Sequence, residues 1–579
     1  MRPPVTPSFA PGRARLALAL VVLAAVAVPS AAARPDGRSA ATGRRVAVVR
    51  VDTLPQVTVT QTIDGLNDQI GGGYDPPDVQ VAAGPGAVVE LVNLAGRVWW
   101  TGTGRAEPAT DFQLSDFFRT GTDDLTDPRI LYDALSGRWF ASIADEDTRA
   151  VVLAVSASAD PTGSWQVYSF PAGGACPDQP RLGTADGLVV LAADMFDSCS
   201  GSVATSLGSE LWAVDKAALL AGAPSAAVAT YGPDPDYSSL TPVHALSATA
   251  TQYVVSVDSP SSQVVHLLTV TGTPPDVQVQ EVATPGMPVL RDPVPAFEPQ
   301  AGRSLPPLQT NDDRLLDAVW ENGRLWLTAN GTCVPSGDTQ GRSCGRVAEL
   351  DTATGTVTWT QDIGVVGAYV FFPSVRPDAS GNLVVVYGES SPTLLPQVAV
   401  EARTADGTWT APAVVARSTA PYRGRRYGDY FGSARDPGQP NVVWVAGETG
   451  PPAIDGQGWT TAVASVVVSP APQPPAVAAP PAPPGLRARA SSGRSGKPLR
   501  LSYVALAGGT HVRREVTVRR GTSVVFATTT PAGTVHAQRV YTVPWRPAQG
   551  LRGSFRFCVR SVLSDGTASP LSCASLRLR

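Results

Sequence analysis

One pattern of apolar and polar positions recurs along most of the chain. It is a short apolar strand, then a turn rich in Asp, Asn or Gly, then a stronger strand of Val, Trp and Leu. Each interval between copies holds two further alternating runs, for example 150–156 and 165–170. Seven copies align on the second strand, at Val88, Trp139, Leu188, Tyr253, Leu325, Leu383 and Val443.

This repeat predicts an all-β protein with a seven-bladed β-propeller over residues 61–469. Four antiparallel strands per unit of about 40 to 50 residues are typical of a propeller blade, and loop insertions account for the longer units. Six or eight blades stay open as alternatives. A closed ring has no exposed sheet edges, and residues 34–60 are a candidate segment for closing it. The only good helical candidate is 214–220.

The N-terminal 33 residues have the organisation of a secretory signal peptide. A basic flank precedes a 13-residue apolar run at 16–28, and Ala31, Ala32 and Ala33 form a small-residue cleavage site. The apolar run is shorter than the ~20 residues that a membrane-spanning helix needs. We therefore expect a secreted, extracellular or cell-envelope-associated protein with no transmembrane segment in the mature chain.

The six cysteines fit an oxidising compartment. They fall into three pairs of sequence neighbours, which predicts three local disulfides, although six cysteines allow 15 pairings. The cysteines are Cys176, Cys199, Cys333, Cys344, Cys558 and Cys573.

The near-neutral net charge of −4 conceals two oppositely charged parts. A proline-rich linker, PAPQPPAVAAPPAPP at 470–484, separates them. Residues 485–579 carry 16 basic residues against Glu515 and Asp565, a net charge of +14. With the three arginines of residues 1–33 set aside, residues 34–484 carry −21. We expect the basic part to bind an anionic cell-wall polymer and not nucleic acid; alternatively, the two parts attract each other, or arginine-rich codon usage inflates the count. A monomer is expected.

Several motifs resemble a family of secreted bacterial β-propeller proteins that is functionally uncharacterised. They are DPPDVQVAAGP, DPRILYDALSGRWF, SASADPTGSW, NDDRLLDAVWENGRLWLTAN and YGDYFGSARDP, and the similarity spans roughly residues 60 to 470. The resemblance implies a fold and not a reaction. Residues 485–579 look like an immunoglobulin or fibronectin-III type β-sandwich, in which Cys558 and Cys573 would join the last two strands.

Charged and aromatic residues precede the predicted inner strands. If they converge on the mouth of a central channel, they form a ring of carboxylates, guanidinium groups and aromatic rings that suits a glycan or an extended peptide. Ties between neighbouring blades are the plainer alternative role. The candidates are Asp127, Arg129, Asp178, Arg181, Asp312, Asp313, Arg314, Tyr369, Phe371, Arg426, Asp429 and Tyr430.

We therefore expect a binding protein that recognises an extracellular glycan or peptide on the loop face of the propeller. The alternative is a glycoside hydrolase or lyase with a sialidase-like funnel, acting on an acidic polysaccharide. Catalytic residues cannot be assigned, since the four histidines lack ligand spacing and no nucleophile motif has the required context. No cofactor is expected. Acidic clusters such as Asp145-Glu146-Asp147 could take Ca²⁺, but solvated turns explain them as well.

Overall fold

The computed structural model describes residues 54–579, apart from 103–105, 123, 200–203, 258–263, 289–290, 295–306, 424–425, 451–457, 470–481 and 565. The predicted signal peptide and most of the predicted linker lie outside the described residues. Over the part that is described, the protein is all-β, as predicted, with two five-residue helices: α1 (Leu114–Phe118) and α2 (Lys216–Leu220). The helix expected at 214–220 begins at Lys216, because Asp215 ends a strand and its side chain accepts a hydrogen bond from the Ala217 N–H at 2.9 Å. None of the described helices has the length and apolar character needed to cross a membrane.

Four-stranded antiparallel units follow one another along residues 56–469, and we number them sheets 1 to 7. A two-residue strand additionally joins sheets 3 and 5 into one hydrogen-bonded sheet of nine strands. The first strand, β1 (Gln56–Asn67), belongs to the last sheet. Sheet 1 contains β2 (Gln80–Gly84), β3 (Ala87–Val92), β4 (Ala95–Trp100) and β5 (Glu107–Gln113); sheet 2 contains β6 (Leu125–Asp133), β7 (Arg138–Asp145), β8 (Ala150–Ser156) and β9 (Trp165–Pro171); sheet 3 contains β10 (Cys176–Thr184), β11 (Leu188–Phe196), β12 (Ser206–Asp215) and β13 (Val228–Asp234).

Sheet 4 contains β14 (Thr241–Pro242), β16 (Gln252–Val257), β17 (Val265–Thr273) and β18 (Asp276–Ala283). The short strand β15 (His244–Ala245), which follows β14 in the chain, pairs in parallel with the first strands of sheets 3 and 5 and not with sheet 4. Sheet 5 contains β19 (Leu315–Glu321), β20 (Arg324–Cys333), β21 (Arg342–Asp351) and β22 (Thr356–Ile363); sheet 6 contains β23 (Tyr369–Pro377), β24 (Leu383–Ser391), β25 (Leu394–Arg403) and β26 (Ala413–Arg417); sheet 7 contains β27 (Gly432–Arg435), β28 (Val442–Thr449), β29 (Thr460–Ser469) and β1.

The first strands form a propeller-like ring. Each contacts the first strand of the next sheet, and β27 of sheet 7 contacts β2 of sheet 1. The ring is closed within sheet 7, where β1 pairs antiparallel with β29, from Gln56 opposite Ser469 to Asn67 opposite Thr460. Hydrophobic clusters fill the space between sheets, which explains why second strands such as β24 are buried along their whole length.

A backbone feature repeats near the start of each first strand: a non-glycine residue in the left-handed region. In β6, β10 and β23 this residue lies in a β-bulge. Such residues carry a conformational cost and persist only where neighbours hold them. The seven residues are Asp78, Asp127, Gln179, Ser239, Asn311, Phe372 and Asp429, with φ between 46° and 96°.

The polar end of the preceding sheet's second strand holds several of these residues. Asn93, after β3, accepts the Asp127 N–H at 3.0 Å, and Asn330 of β20 accepts the Phe372 N–H at 2.7 Å. Asp194 of β11 accepts the Ser239 N–H at 2.6 Å. Consecutive sheets are therefore joined at one end of the ring, where the predicted site residues also lie.

Residues 485–579 form two sheets with a common core of their own, built around Leu501, Tyr503, Val516 and Phe557. One sheet contains β30 (Leu486–Ala488), β32 (Leu499–Ala505) and β36 (Val540–Trp545). The other contains β31 (Ser491–Gly493), β33 (Gly509–Arg520), β34 (Ser523–Thr529), β37 (Gly553–Val562) and β38 (Ser572–Leu578), with β35 (Gly533–Val535) paired to β33.

The three predicted disulfides are confirmed. Cys176 pairs with Cys199, Cys333 with Cys344, and Cys558 with Cys573. The first two join strand ends on the same side of the ring as the left-handed residues, and the third joins β37 to β38.

Candidate functional site

The first strands surround a central channel. We call the end at which these strands begin the upper mouth, and the end at which they finish the lower mouth. The upper mouth collects charged residues from sheets that are far apart in sequence: Asp178 interacts electrostatically with Asp127 and Arg314, and Asp429 interacts with Asp127 and Arg426. The predicted convergence of these side chains is therefore present in the structure.

Three of the four predicted arginines are paired with carboxylates of the protein. Arg314 binds Asp312 in a bidentate pair, with both nitrogen–oxygen distances at 2.7 Å. Arg426 pairs with Asp429. Arg181 and Arg314 each lie 3.6 Å from the same Asp194 oxygen. The charge of these guanidinium groups is thus offset within the protein itself.

The Gln179 side chain completes this network. Its Oε1 accepts hydrogen bonds from Arg181 at 3.1 Å and from Arg314 at 2.8 Å. Although burial alone would raise the pKa of Asp194, Arg181 and Arg314 hold that pKa below its ordinary value. Asp194 therefore stays ionised and ties sheets 3, 4 and 5 together.

The fourth arginine, Arg129, packs against an aromatic ring. Its guanidinium lies 3.6 Å from the centre of the Tyr430 ring, a cation–π contact. The Tyr430 hydroxyl donates a hydrogen bond to Asp127 at 3.0 Å. Asp127 is 4% exposed. The contacts of Tyr430 with Arg129 and Asp127 join sheets 2 and 7 beside the channel.

Two further carboxyl groups at the upper mouth, those of Asp178 and Asp78, form no salt bridge with the described residues. Among the described residues Asp178 makes no side-chain hydrogen bond, and burial together with Asp127 and Asp194 raises its pKa to about 7. Burial raises the pKa of Asp78, with Asp429 and Asp127 adding to the shift, while the Asn93 amide donates to Asp78 at 2.7 Å.

Asp429 has an arginine partner, Arg426, but its pKa is raised as well. Burial raises its pKa to about 6, against the lowering effect of Arg426 and with a further rise from Asp127. The upper mouth therefore holds more carboxyl groups than its arginines neutralise, and protons are retained on them near neutral pH.

The predicted aromatic residues lie in the packed interior. Phe371 is 0% and Tyr430 is 1% exposed, so their ring faces are covered by the protein. Tyr369 is also buried, and the Arg342 guanidinium lies 5.1 Å from its ring centre. Asp313 is fully buried. Asp312 is partly exposed, and it is the residue that pairs with Arg314. Chemistry at the mouth therefore comes from carboxyl and guanidinium groups.

Sequence reasoning missed four residues of this site: Gln179, Asp78, Asn93 and Asp194. Asp78 was hidden because it belongs to the first copy of the repeat, in DPPDVQ, where no arginine follows it. Asn93 and Asp194 follow or end second strands, so their sequence neighbours gave no sign that they reach the next sheet. Within the described ranges no group of three or more His, Cys, Asp or Glu side chains is arranged to hold a metal ion.

Comparison with known proteins finds no matching family model and no matching curated protein. Solved structures do show similarity to the chain. A protein of unknown function from Dyadobacter fermentans is 12% identical, with 71% of this chain and 99% of that chain covered and a TM-score of 0.36. The Bombyx mori GH32 beta-fructofuranosidase BmSUC1 is 9% identical, with 78% and 86% covered and a TM-score of 0.26.

A GH43_1 enzyme from Xanthomonas citri is 13% identical, with 50% of this chain and 87% of that chain covered and a TM-score of 0.26. Since these similarities are so distant, we base the function on the side chains of the upper mouth.

Proposed function

We propose that the chain is a secreted, seven-bladed β-propeller binding protein that recognises an extracellular glycan or peptide at its upper mouth. Seven consecutive four-stranded sheets, a closed ring of first strands and one left-handed residue per first strand support the blade count. Three disulfides and the composition of residues 1–33 support secretion.

One observation carries the choice of ligand. Asp78, Asp178 and Asp429 have raised pKa values because they are buried near one another or near Asp127, whereas Arg181, Arg314 and Arg426 are already paired. A ligand that donates hydrogen bonds or carries positive charge relieves the repulsion among these carboxylates. Sugar hydroxyls, amino sugars and the amide and ammonium groups of peptides have this chemistry.

Arrays of glycans and peptides probed with the full chain test this proposal. We expect neutral or amino-sugar glycans, or basic peptides, to bind in preference to acidic glycans. Asp178→Asn should weaken that binding about tenfold, since it removes an acceptor charge. Asp186→Asn is the matched control, because Asp186 is exposed at the opposite end of the same hairpin.

Preference for acidic glycans, or equal binding by the parent chain and Asp178→Asn, would contradict this assignment of the site.

A hydrolase acting at the same mouth is the second candidate, and one observation favours it. A carboxyl group with a pKa of about 7, partly exposed and without a hydrogen-bond partner among the described residues, has the properties of a general acid. The pairing of the arginines argues against the acidic polysaccharide that their number suggested. In this mechanism Asp178 would protonate the leaving oxygen of a neutral glycan.

Release of new reducing ends distinguishes the two candidates. A hydrolase releases them from the glycans that bind, and Asp178→Asn abolishes release while its weakened binding is still measurable. Binding of an array glycan without any release by the parent chain assigns the site to recognition alone.

We further propose that residues 485–579 form an immunoglobulin-like sandwich that binds an anionic cell-wall polymer. Arg519 and Arg556 stand directly opposite each other on neighbouring strands, and like charges in that position repel. An anionic polymer across this sheet would relieve the repulsion.

A further inference from the structure

A well-formed cavity lies at the lower mouth of the channel, away from the charged ring of the upper mouth. Its volume is about 300 Å³, within the range of small-molecule sites. Residues of the first strands of sheets 1, 2, 5, 6 and 7 line it, together with strand β15. It is therefore formed by most of the ring and not by two loops alone.

Most of the cavity wall is apolar. Val81, Ile130, Leu135, Ala245 and Ala434 are among the lining residues. Leu135 is 50% exposed, on the turn between β6 and β7. Such a wall favours the apolar body of a ligand.

A few polar groups converge on the same cavity, and two of them have unused hydrogen-bonding capacity. The Arg376 guanidinium donates to the Ser433 carbonyl at 3.0 Å and pairs with Asp317 at 3.1 Å, but its Nη1 is buried without a partner among the described residues. His244 makes no side-chain hydrogen bond with the described residues. Both residues also line the smaller cavity directly above, inside the channel.

The charges around His244 are otherwise balanced in pairs. Arg435 lies 2.9 Å from Glu321, and Lys216 lies 2.7 Å from Asp133. Burial first, and then the nearby Arg376, lower the pKa of His244 to about 3, so its imidazole is neutral and can donate one N–H.

Arg376 Nη1 and the His244 N–H are thus two donors at the inner end of an apolar cavity. A buried donor without an acceptor is unfavourable, and an incoming anion with two oxygens would accept from both groups. A carboxylate has that geometry.

We propose that the lower-mouth cavity binds a small carboxylic acid with an apolar body, its carboxylate against Arg376 and His244 and its body against the apolar wall. This site is separate from the one proposed at the upper mouth and takes a ligand of opposite charge preference. Neither site depends on the other.

Titration calorimetry of the full chain with phenylacetate and with phenylacetamide tests the proposal. The two probes have nearly the same shape, and only phenylacetate carries the carboxylate. We expect phenylacetate to bind about tenfold more tightly, because a charge-assisted pair with arginine is stronger than a neutral hydrogen bond. Equal affinity of the two probes, or binding of neither, overturns the proposal.

A variant at the rim avoids damage to the core. Leu135→Glu places a like charge at the cavity rim and should weaken phenylacetate binding about tenfold. Leu571→Glu is the matched control, since Leu571 is 49% exposed in the C-terminal part and lines no part of this cavity. If both variants bind phenylacetate as the parent chain does, the site is not at the lower mouth.

A third probe identifies the source of the carboxylate. A tripeptide ending in phenylalanine tests whether peptide C-termini are bound. Tighter binding of the tripeptide than of phenylacetate assigns the site to peptide C-termini, and weaker binding assigns it to free acids.

Discussion

At the scale of single residues, Asp194 shows how the upper mouth is held together. Its carboxylate accepts hydrogen bonds from Ser209 at 2.6 Å and from the Ser239 hydroxyl at 2.8 Å, in addition to the Ser239 N–H. It also offsets the charge of Arg181 and Arg314. A single buried acid therefore satisfies donors from three sheets.

Asp194→Ala should be strongly destabilising. It leaves the buried Arg181 guanidinium without its carboxylate partner, and breaking a buried pair costs about 3–5 kcal/mol. Asp194→Asn keeps hydrogen-bonding capacity and loses only the charge, so its effect should be smaller. Urea unfolding followed by tryptophan fluorescence measures both. A loss for Asp194→Ala no larger than for Asp186→Ala, on the exposed turn after β10, would show that the network is not essential.

Asp178 makes the stability of the folded chain depend on pH. Its pKa is raised to about 7 in the folded chain, so protonation favours folding. That contribution is complete below about pH 4 and is lost as the pH rises through about 7. Asp178→Asn stays neutral throughout. We therefore expect the variant to be more stable than the parent chain at about pH 8, by on the order of 1 kcal/mol, and similar to it at about pH 4.

Urea midpoints at both pH values test this expectation. A difference between Asp178→Asn and the parent chain that does not change with pH would mean that Asp178 titrates normally.

Pairing partners at the site could not be predicted from the sequence. The repeat brings Asp127, Asp178 and Arg314 to the starts of first strands, which made their convergence predictable. Whether a candidate side chain can bind a ligand or is already paired within the protein depends on side chains from other sheets. Examples are Asp194 beside Arg314 and Tyr430 beside Arg129. These contacts depend on ring geometry, and no local pattern encodes them.

At the scale of elements, the strands were predictable because each sheet packs between two others. Second strands such as β11 and β24 are largely apolar on both faces, and strands of this kind recur at similar intervals along the chain. Helix α1 was missed, since its sequence LSDFF has weaker helix formers than the KAALL of α2 and its N-cap residue makes no side-chain cap hydrogen bond. The strand β1 is polar on one face, because it is the outermost strand of sheet 7.

Removal of β1 tests how the ring is closed. A chain that begins at residue 68 lacks the partner of β29 and exposes that edge, which favours association with other chains. We expect a lower urea midpoint and larger species in gel filtration than for a chain that begins at residue 54. Identical behaviour of the two chains would show that β29 does not need β1.

At the scale of the whole molecule, the opposite charges of the two parts suit two different partners. Residues 34–484 carry −21, and their upper mouth has more carboxyl groups than its arginines neutralise. Residues 485–579 carry +14, with Arg556 and Arg577 exposed on strands β37 and β38. An extended polyanion is therefore repelled by the acidic part and attracted by the basic part.

Binding of the full chain to immobilised teichoic acid should depend steeply on salt. Exposed charges are screened over about 10 Å at 0.1 M ionic strength, so affinity should fall several-fold as salt rises from about 0.05 M to about 0.5 M. Replacing Arg556 and Arg577 with serine should weaken binding at low salt and flatten the salt dependence. Replacing Arg324 and Arg417 with serine, at exposed positions of sheets 5 and 6, is the control for total charge. Because the control removes positive charge from a different surface, an equal loss with both variants would mean that net charge alone, and not the arginine face of the C-terminal sheet, attracts the polymer.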